Sequence, residues 1–367
     1  MNTFAPLCQA RLSRALILFC AVSALLATAD ASTLQTIAST VPSNGDVNPY
    51  GLFVVPATVG TLTAGNLLVS NFNNSANLQG TGTTIVQISP SGTVSQFAQI
   101  NSAMLPGRCP GGIGLTTALV VLKTGWVIVG SLPTTDGTSA TAKAGCLLVL
   151  DSNGTVVETF SGHGINGPWD MTVSDSGSTA LLFVTNVLNG TVAGGGSVVN
   201  RGTVLRLNLA IANGSMPSLQ STTTIGSAFS EKTDPAALVI GPTGVCLGAD
   251  GSTLYVADSV NNRIASISNA LIRTSSAGTG TTVLSGHSLN DPLGLTLTST
   301  GNISAANGDD GFMVLISPSG TQIGKTLLDN SGNPPGSGAL FGVAFVNSTG
   351  LYYVDDATNT LRLFPNK

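Results

Sequence analysis

Charge is what this 367-residue chain lacks most: its 13 Lys and Arg and 17 Asp and Glu make up 8% of it, and aromatic residues only 5%. With cations so sparse there is no basic stripe, which argues against nucleic acid or an anionic membrane surface as partner. Histidine is scarcer still. His163 and His287 are the only two, and a metal centre needs more ligands than a pair on separate repeats supplies. No amphipathic helical stretch of useful length appears. Mean hydropathy is positive, yet no internal apolar run approaches the roughly 18 residues of a spanning helix, so no membrane insertion is expected. What the chain does have is 45 Gly, 17 Pro and short apolar runs separated by Gly, Asn, Ser and Thr. That composition describes many short strands joined by turns.

The N-terminus is a separate object. Arg11 and Arg14 precede the apolar run Ala15 to Ala27, and Ala29-Asp30-Ala31 offers small residues to a signal peptidase, so residues 1–31 read as a secretory signal. The expected mature domain is 32–367, secreted or periplasmic. Without Arg11, Arg14 and Asp30 it keeps 11 basic and 16 acidic residues, a net charge of −5.

The most regular stretch runs from Gly241 to Ile267, GPTGVCLGADGSTLYVADSVNNRIASI. Two apolar strands flank an Asp250-Gly251 turn that tolerates positive φ, and after Asp258 a polar turn leads into a third strand. The order P-x-G-V, D-G, LYVAD, NNRI resembles the NHL repeat, a family that builds β-propellers. Its lead recurs as Pro49-Tyr50-Gly51, Pro110-Gly111-Gly112, Pro168-Trp169-Asp170, Pro242-Thr243-Gly244, Pro292-Leu293-Gly294 and, without the proline, Leu340-Phe341-Gly342. These six copies predict an all-β, six-bladed propeller of four-stranded antiparallel blades, starting near residues 48, 109, 167, 241, 291 and 339. The sixth copy runs out of chain after three strands, and residues 33–40 have strand alternation, so the N-terminal strand is expected to complete the last blade. A transmembrane β-barrel is excluded by strands too short and aromatics too few for its girdles.

With blades assigned, Cys109 falls before the first strand of blade two and Cys146 at the start of its third, at one end of the blade, making them a candidate disulfide in an oxidising compartment. Cys246 reads as a small buried hydrophobe. The loops after Asn71, Ser131 and Asn186 are long, crowding one face of blades one to three, either as a recognition surface or as tolerated drift.

Three sets of residues are candidate sites. Tyr50, Trp169 and Phe341 follow the lead residue, where they either stack on a ligand or fill the tapered top of the tunnel. Asp170 stands where the other leads have Gly, as a site carboxylate or a turn cap. The second strands end in Asn71, Ser131, Asn186, Asp258, Asn307 and Asp356, either a ring of oxygen ligands of the kind calcium accepts or side chains bonding their own turns. His163 and His287 occupy equivalent loops, pointing to a shared turn habit.

Among similar six-bladed folds, amidating lyases use three histidines on zinc, which two histidines do not reproduce. Gluconolactonase-like hydrolases are similar around strand two, where the Asp of their YxxDS pattern corresponds to Asp258-Ser259. They also need a glutamate near the tunnel, and Glu158 and Glu231 both lie outside the leads. Two readings follow. The first is a monomeric exported binding propeller that holds a protein, peptide or saccharide on its long-looped face, with no certain cofactor. The second is a metal-dependent hydrolase or lyase of lactonase type, with a calcium-like central cation held by Asp170, Asp258 and Asp356 together with Asn71, Asn186 and Asn307.

Overall fold

Each short apolar run becomes a strand because the residues between runs turn the chain sharply. Asp250-Gly251 shows how: Gly251 adopts φ +64°, and the hairpin joins Pro242–Leu247 to Leu254–Asp258. A computed structural model describes Met1 and residues 34–366. In it the strands form six antiparallel sheets, five of four strands and one of five. Blade one runs from Val47 to Gln99, blade two from Leu115 to Phe160, blade three from Pro168 to Ile240, blade four from Pro242 to Ser285 and blade five from Pro292 to Leu327. The secretory-signal reading of residues 1–31 lies outside the described residues apart from Met1.

Blade six is assembled from both ends of the chain. Leu340–Val346, Gly350–Asp355 and Thr360–Pro365 are joined by Gln35–Ser39, which pairs antiparallel with the last of them from Gln35 opposite Leu363 to Ser39 opposite Thr360. Leu34 packs in the cluster that contains Tyr353, and Ile37 in the one that contains Leu361. The N-terminal strand therefore covers the edge that blade six would otherwise expose.

The first strand of every blade lines the central tunnel and packs against the first strands of its two neighbours. Glycine in the lead is required by that approach. A Cβ on Gly294 would collide with the carbonyl oxygen of Phe341 in the next blade, and one on Gly342 with that of Tyr50. Hydroxyls on the second strands tie the ring together. Ser70 Oγ accepts from Gly51 N at 3.0 Å and donates to Thr116 O at 2.7 Å in the next blade, and Thr185 repeats the device with Asp170 N at 3.1 Å and Thr243 O at 2.7 Å.

Two expectations need correction. Blade two begins at Leu115, which stands opposite Ser131 where other blades place their proline. Pro110 lies in the preceding loop, because Gly112 at φ +104° turns the chain there instead of extending it. That loop is pinned by a disulfide between Cys109 and Cys146, with Cα atoms 5.3 Å apart. In blade three, the fourth strand overshoots: Ser218–Asp234 spans 17 residues and turns back as a fifth strand, Leu238–Ile240.

Deleting residues 33–40 from the mature protein uncovers the edge of Thr360–Pro365. The expected outcome is a fall in Tm of at least several degrees with concentration-dependent aggregation, read by calorimetry and light scattering; unchanged Tm and a monodisperse monomer would contradict the closure.

Candidate functional site

The tunnel is closed at one end and open at the other. On the side where the leads enter, Tyr50, Trp169 and Phe341 converge from blades one, three and six. Tyr50 stacks on Phe341 and on Phe72, with ring centroids 3.9 and 4.4 Å apart, and Trp169 lies tilted against Tyr50 and Phe341. All are buried. The turn between the last two strands of blade three lies over them: Trp169 Nε1 donates to Val239 O at 3.0 Å, and Ala237, Leu238, Val239 and Ile240 share their core cluster. Asp234 fixes the turn, its Oδ1 accepting from Ala236 N at 2.8 Å and Ala237 N at 3.0 Å. These aromatics are thus a plug under a lid, not the open stacking platform a ligand would need.

The long loops are used in the same construction. Gln79 Nε2 donates to Pro235 O at 2.8 Å, and Thr134 N donates to Gly80 O at 2.9 Å. They hold each other and the lid instead of standing free as a recognition surface. The sequence signal for the lid was the spacing from Pro168 to Pro242, the longest between successive leads.

The oxygen ring is not assembled as a cation cage. Asp258 Oδ2 is taken by Arg263 Nε and Nη2 at 2.9 and 2.6 Å. Asn71 Nδ2 donates to Thr40 O, Asn186 Oδ1 accepts from Asn166 N, and Asn307 Nδ2 donates to Ser288 O. Each satisfies neighbouring backbone, as Asn does at strand ends. The register also moves one member. Leu340 faces Asp355, so Asp355 occupies the ring position and binds Arg362 Nη1 at 2.7 Å, while Asp356 lies one residue beyond. Asp170 sits on the far side of the plug from Asp356. Among the described residues no three His, Cys, Asp or Glu side chains could hold a metal ion. The expected calcium set does not fit: Asp258 is spent on Arg263, and Asn71, Asn186 and Asn307 on neighbouring backbone.

A different group of carboxyls gathers at the mouth. Asp291, buried just before Pro292 at φ +51°, is oriented by Asn262 Oδ1, which accepts from its amide at 2.6 Å. Its Oδ1 is buried without a hydrogen-bond partner among the described residues. Burial, then the charges of Asp234 and Asp309, push its carboxyl up to about 8 against a pull from Lys232. Asp356, half-buried beside Tyr50, is pushed up to about 7 by burial and then by Asp355. The Tyr50 hydroxyl feels Asp356, Asp234 and Asp291 and is driven well above its ordinary range, chiefly by burial. Asp309 is exposed and Asp234 half-exposed, so this group of carboxyls reaches solvent beside the lid. Of these carboxyls the sequence pattern singles out Asp356 alone. Glu231 belongs to the lid strand, next to Gly241 at the lead of blade four, fully buried, with its carboxyl pushed up to about 7 by burial against the pull of Thr191, the Asn189 backbone and Arg201. Glu158 lies on an outer strand. His163 and His287 share left-handed backbone, φ +52° and +56°, as turn residues.

Below the plug the tunnel holds a cavity of about 200 Å³ lined by the first strands of all six blades. Asp170 faces it, its Oδ2 accepting from Val245 N at 2.9 Å and its carboxyl pushed up to about 8 by burial. Beside it the Cys246 thiol is free, buried and also pushed up, by burial and then by Asp170.

The profile of the SMP-30/Gluconolactonase/LRE-like region matches residues 128–334, more than half of the chain. No curated protein matches the sequence. Among solved structures, a gluconolactonase from Xanthomonas campestris is similar at TM-score 0.55 and 14% identity, over 90% of this chain and 89% of that one. Regucalcin from Agrobacterium tumefaciens, described as calcium-binding, is similar at 0.53 and 13%, over 89% and 93%. A luciferin-regenerating enzyme is similar at 0.52 and 13%, over 88% and 93%. At these identities the structures establish a shared fold.

Two outcomes follow from plug and chamber. Trp169→Ala removes the largest side chain of the plug and is expected to cost about 3–5 kcal/mol, read from urea midpoints; a loss under about 1 kcal/mol would mean the lid and not the ring stack closes the tunnel. For Asp170 the folded carboxyl titrates near 8 against an ordinary 3.8, so between those values the folded state holds a proton the unfolded state has released. Stability is then present at low pH and falls as pH rises through this window, by an amount on the order of a few kcal/mol. Asp170→Asn should flatten this part of the pH slope, measured as unfolding midpoints at pH 5 and pH 9.

Proposed function

The chain belongs to the SMP-30/gluconolactonase/LRE-like family, and from that premise we propose that it is a hydrolase of small lactones or related esters, with the carboxyls of the mouth cleft as its reacting groups. One observation carries the reading: the buried Asp291 and the half-buried Asp356 both act on the Tyr50 hydroxyl, and burial pushes both carboxyls up toward neutrality. Perturbed carboxyls facing one cleft are what general acid–base chemistry at neutral pH requires.

Asp356, ionised above about 7, takes a proton from the water that attacks the lactone carbonyl. Asp291, protonated below about 8, gives its proton to the ring oxygen as the acyl C–O bond breaks. The product is the open hydroxy acid, and exchange with solvent returns each carboxyl to its starting state. Tyr50 stays protonated across this range, so its hydroxyl is a donor for the carbonyl oxygen once the lid moves Ala236 away. A cation is a family expectation that the hard oxygens here would suit by donor type, but their arrangement does not converge on one. The alternative of a binding module for protein, peptide or saccharide has less support, because the loops it needs are spent on the lid. The disulfide and the character of residues 1–31 support work in an oxidising compartment outside the cytoplasm.

The test is hydrolysis of a panel of five- and six-membered lactones between pH 5 and 10, with and without chelator. The expected kcat/KM profile is bell-shaped, rising through about 7 and falling through about 8. Asp356→Asn and Asp291→Asn are each expected to lower it roughly 10²- to 10⁴-fold with Tm retained. Absence of turnover across the panel, or turnover abolished by chelator and untouched by both substitutions, would overturn the assignment.

A further inference from the structure

The chamber below the plug belongs to neither the mouth cleft nor its chemistry. It is bounded by apolar side chains such as Leu119, Met171, Val245, Leu295 and Val343. At about 200 Å³ it exceeds the roughly 150 Å³ of an apolar cavity that takes benzene. It opens away from the lid, since its upper residues Leu52, Met171 and Leu295 are buried while Phe53, Thr172, Thr296 and Ala344 along the same strands are only half-buried. Its main polar feature is Asp170, 8% exposed, the one lead carboxylate in a layer that is otherwise mostly glycine. Asp170 is not a turn cap. It stands within the strand Pro168–Asp175, its amide held by Thr185 Oγ1 and its Oδ2 by Val245 N, with its carboxyl at the chamber wall.

We propose that this chamber is a second binding site, for a small neutral molecule that is apolar over most of its surface and carries one hydrogen-bond acceptor such as a ketone oxygen, with Asp170 as the donor that orients it. An apolar wall rewards burial of a hydrocarbon body, and a single polar group in such a wall selects ligands that satisfy it. Asp170 is fit to donate because burial keeps it protonated up to about 8. The other titratable side chain facing the chamber is the Cys246 thiol, which burial also keeps neutral. A cationic or anionic ligand finds no counter-charge there.

The site goes beyond the hydrolase reading and its test does not read hydrolysis. Camphor and its parent hydrocarbon bornane are titrated into the full mature protein, following the methyl resonances of Met171 and Leu295. Both probes are expected to shift these methyls, with camphor binding roughly five- to tenfold tighter for its one hydrogen bond. Asp170→Asn, whose amide still donates, should keep that preference. Asp170→Gly, the residue most other blades use, should erase it. Ala344→Phe, which narrows the rim at a half-buried position, should weaken both probes. In the native protein the preference should fade as pH rises through about 8, which decides the matter even where Asp170→Gly does not fold. No shift at Met171 or Leu295 up to probe saturation, a camphor preference that persists at pH 10, or undiminished binding to Ala344→Phe would each overturn the proposal.

Discussion

Six innermost strands meet around one axis only if their backbones can nearly touch, and that contact sets the rest of the molecule. The carbonyls of Phe341, Tyr50 and Leu293 occupy the places where side chains on Gly294, Gly342 and Gly244 of the neighbouring leads would stand. Hydroxyls of Ser70 and Thr185 then bridge from one blade's first strand to the next, so the glycine layer is also a layer of shared hydrogen bonds. Asp170 is the informative exception. Its carboxylate fills the gap toward blade four by accepting from the Val245 amide, doing with a side chain what the other blades do by direct backbone approach.

That same layer explains how much was legible beforehand. Glycine spacing, the leading proline and the D-G turn are local demands on φ and on close approach, so blade number, strand order and closure by residues 33–40 could be read from residue types alone. Asp355 and Asp356 could not be told apart, because in an adjacent pair only the register against Leu340 decides which one faces Arg362. Pro110 misled for a related reason: a proline before glycines signals a turn or a strand start equally well, and the disulfide to Cys146 was needed to hold it as loop. The lid was hidden because a strand of 17 residues with mixed burial has neither clean alternation nor an apolar run.

The mouth carboxyls were illegible for a different reason. Asp234, Asp291, Asp309 and Asp356 come from three blades, and each alone has an ordinary role beside a turn or a proline. The raised proton affinity of Asp291, Asp309 and Asp356 comes first from burial, with Asp234 adding to the first two and Asp355 to the third, and it exists only after blades three, five and six are brought around the plug. A chain so poor in Lys and Arg does little to neutralise them. Arg263 and Arg362 are spent on Asp258 and Asp355, which leaves Lys232 as the cation that tempers Asp291 and Asp309.

Plug and lid divide the tunnel into two environments with opposite logic. Above, several carboxyls lie close to water and to one another, so their proton affinities are spread by mutual repulsion and any substrate meets groups able to give and take protons. Below, one carboxyl stands alone in an apolar chamber, so it is held neutral by burial and can orient a ligand without reacting with it. Tyr50, Trp169 and Phe341 stand between the two ends, and Asp170 is held neutral by the apolar first strands that bury it beneath them. Of the two roles open to these aromatics in the sequence, the packed top of the tunnel is the one the structure gives them, and they form the wall between its two ends.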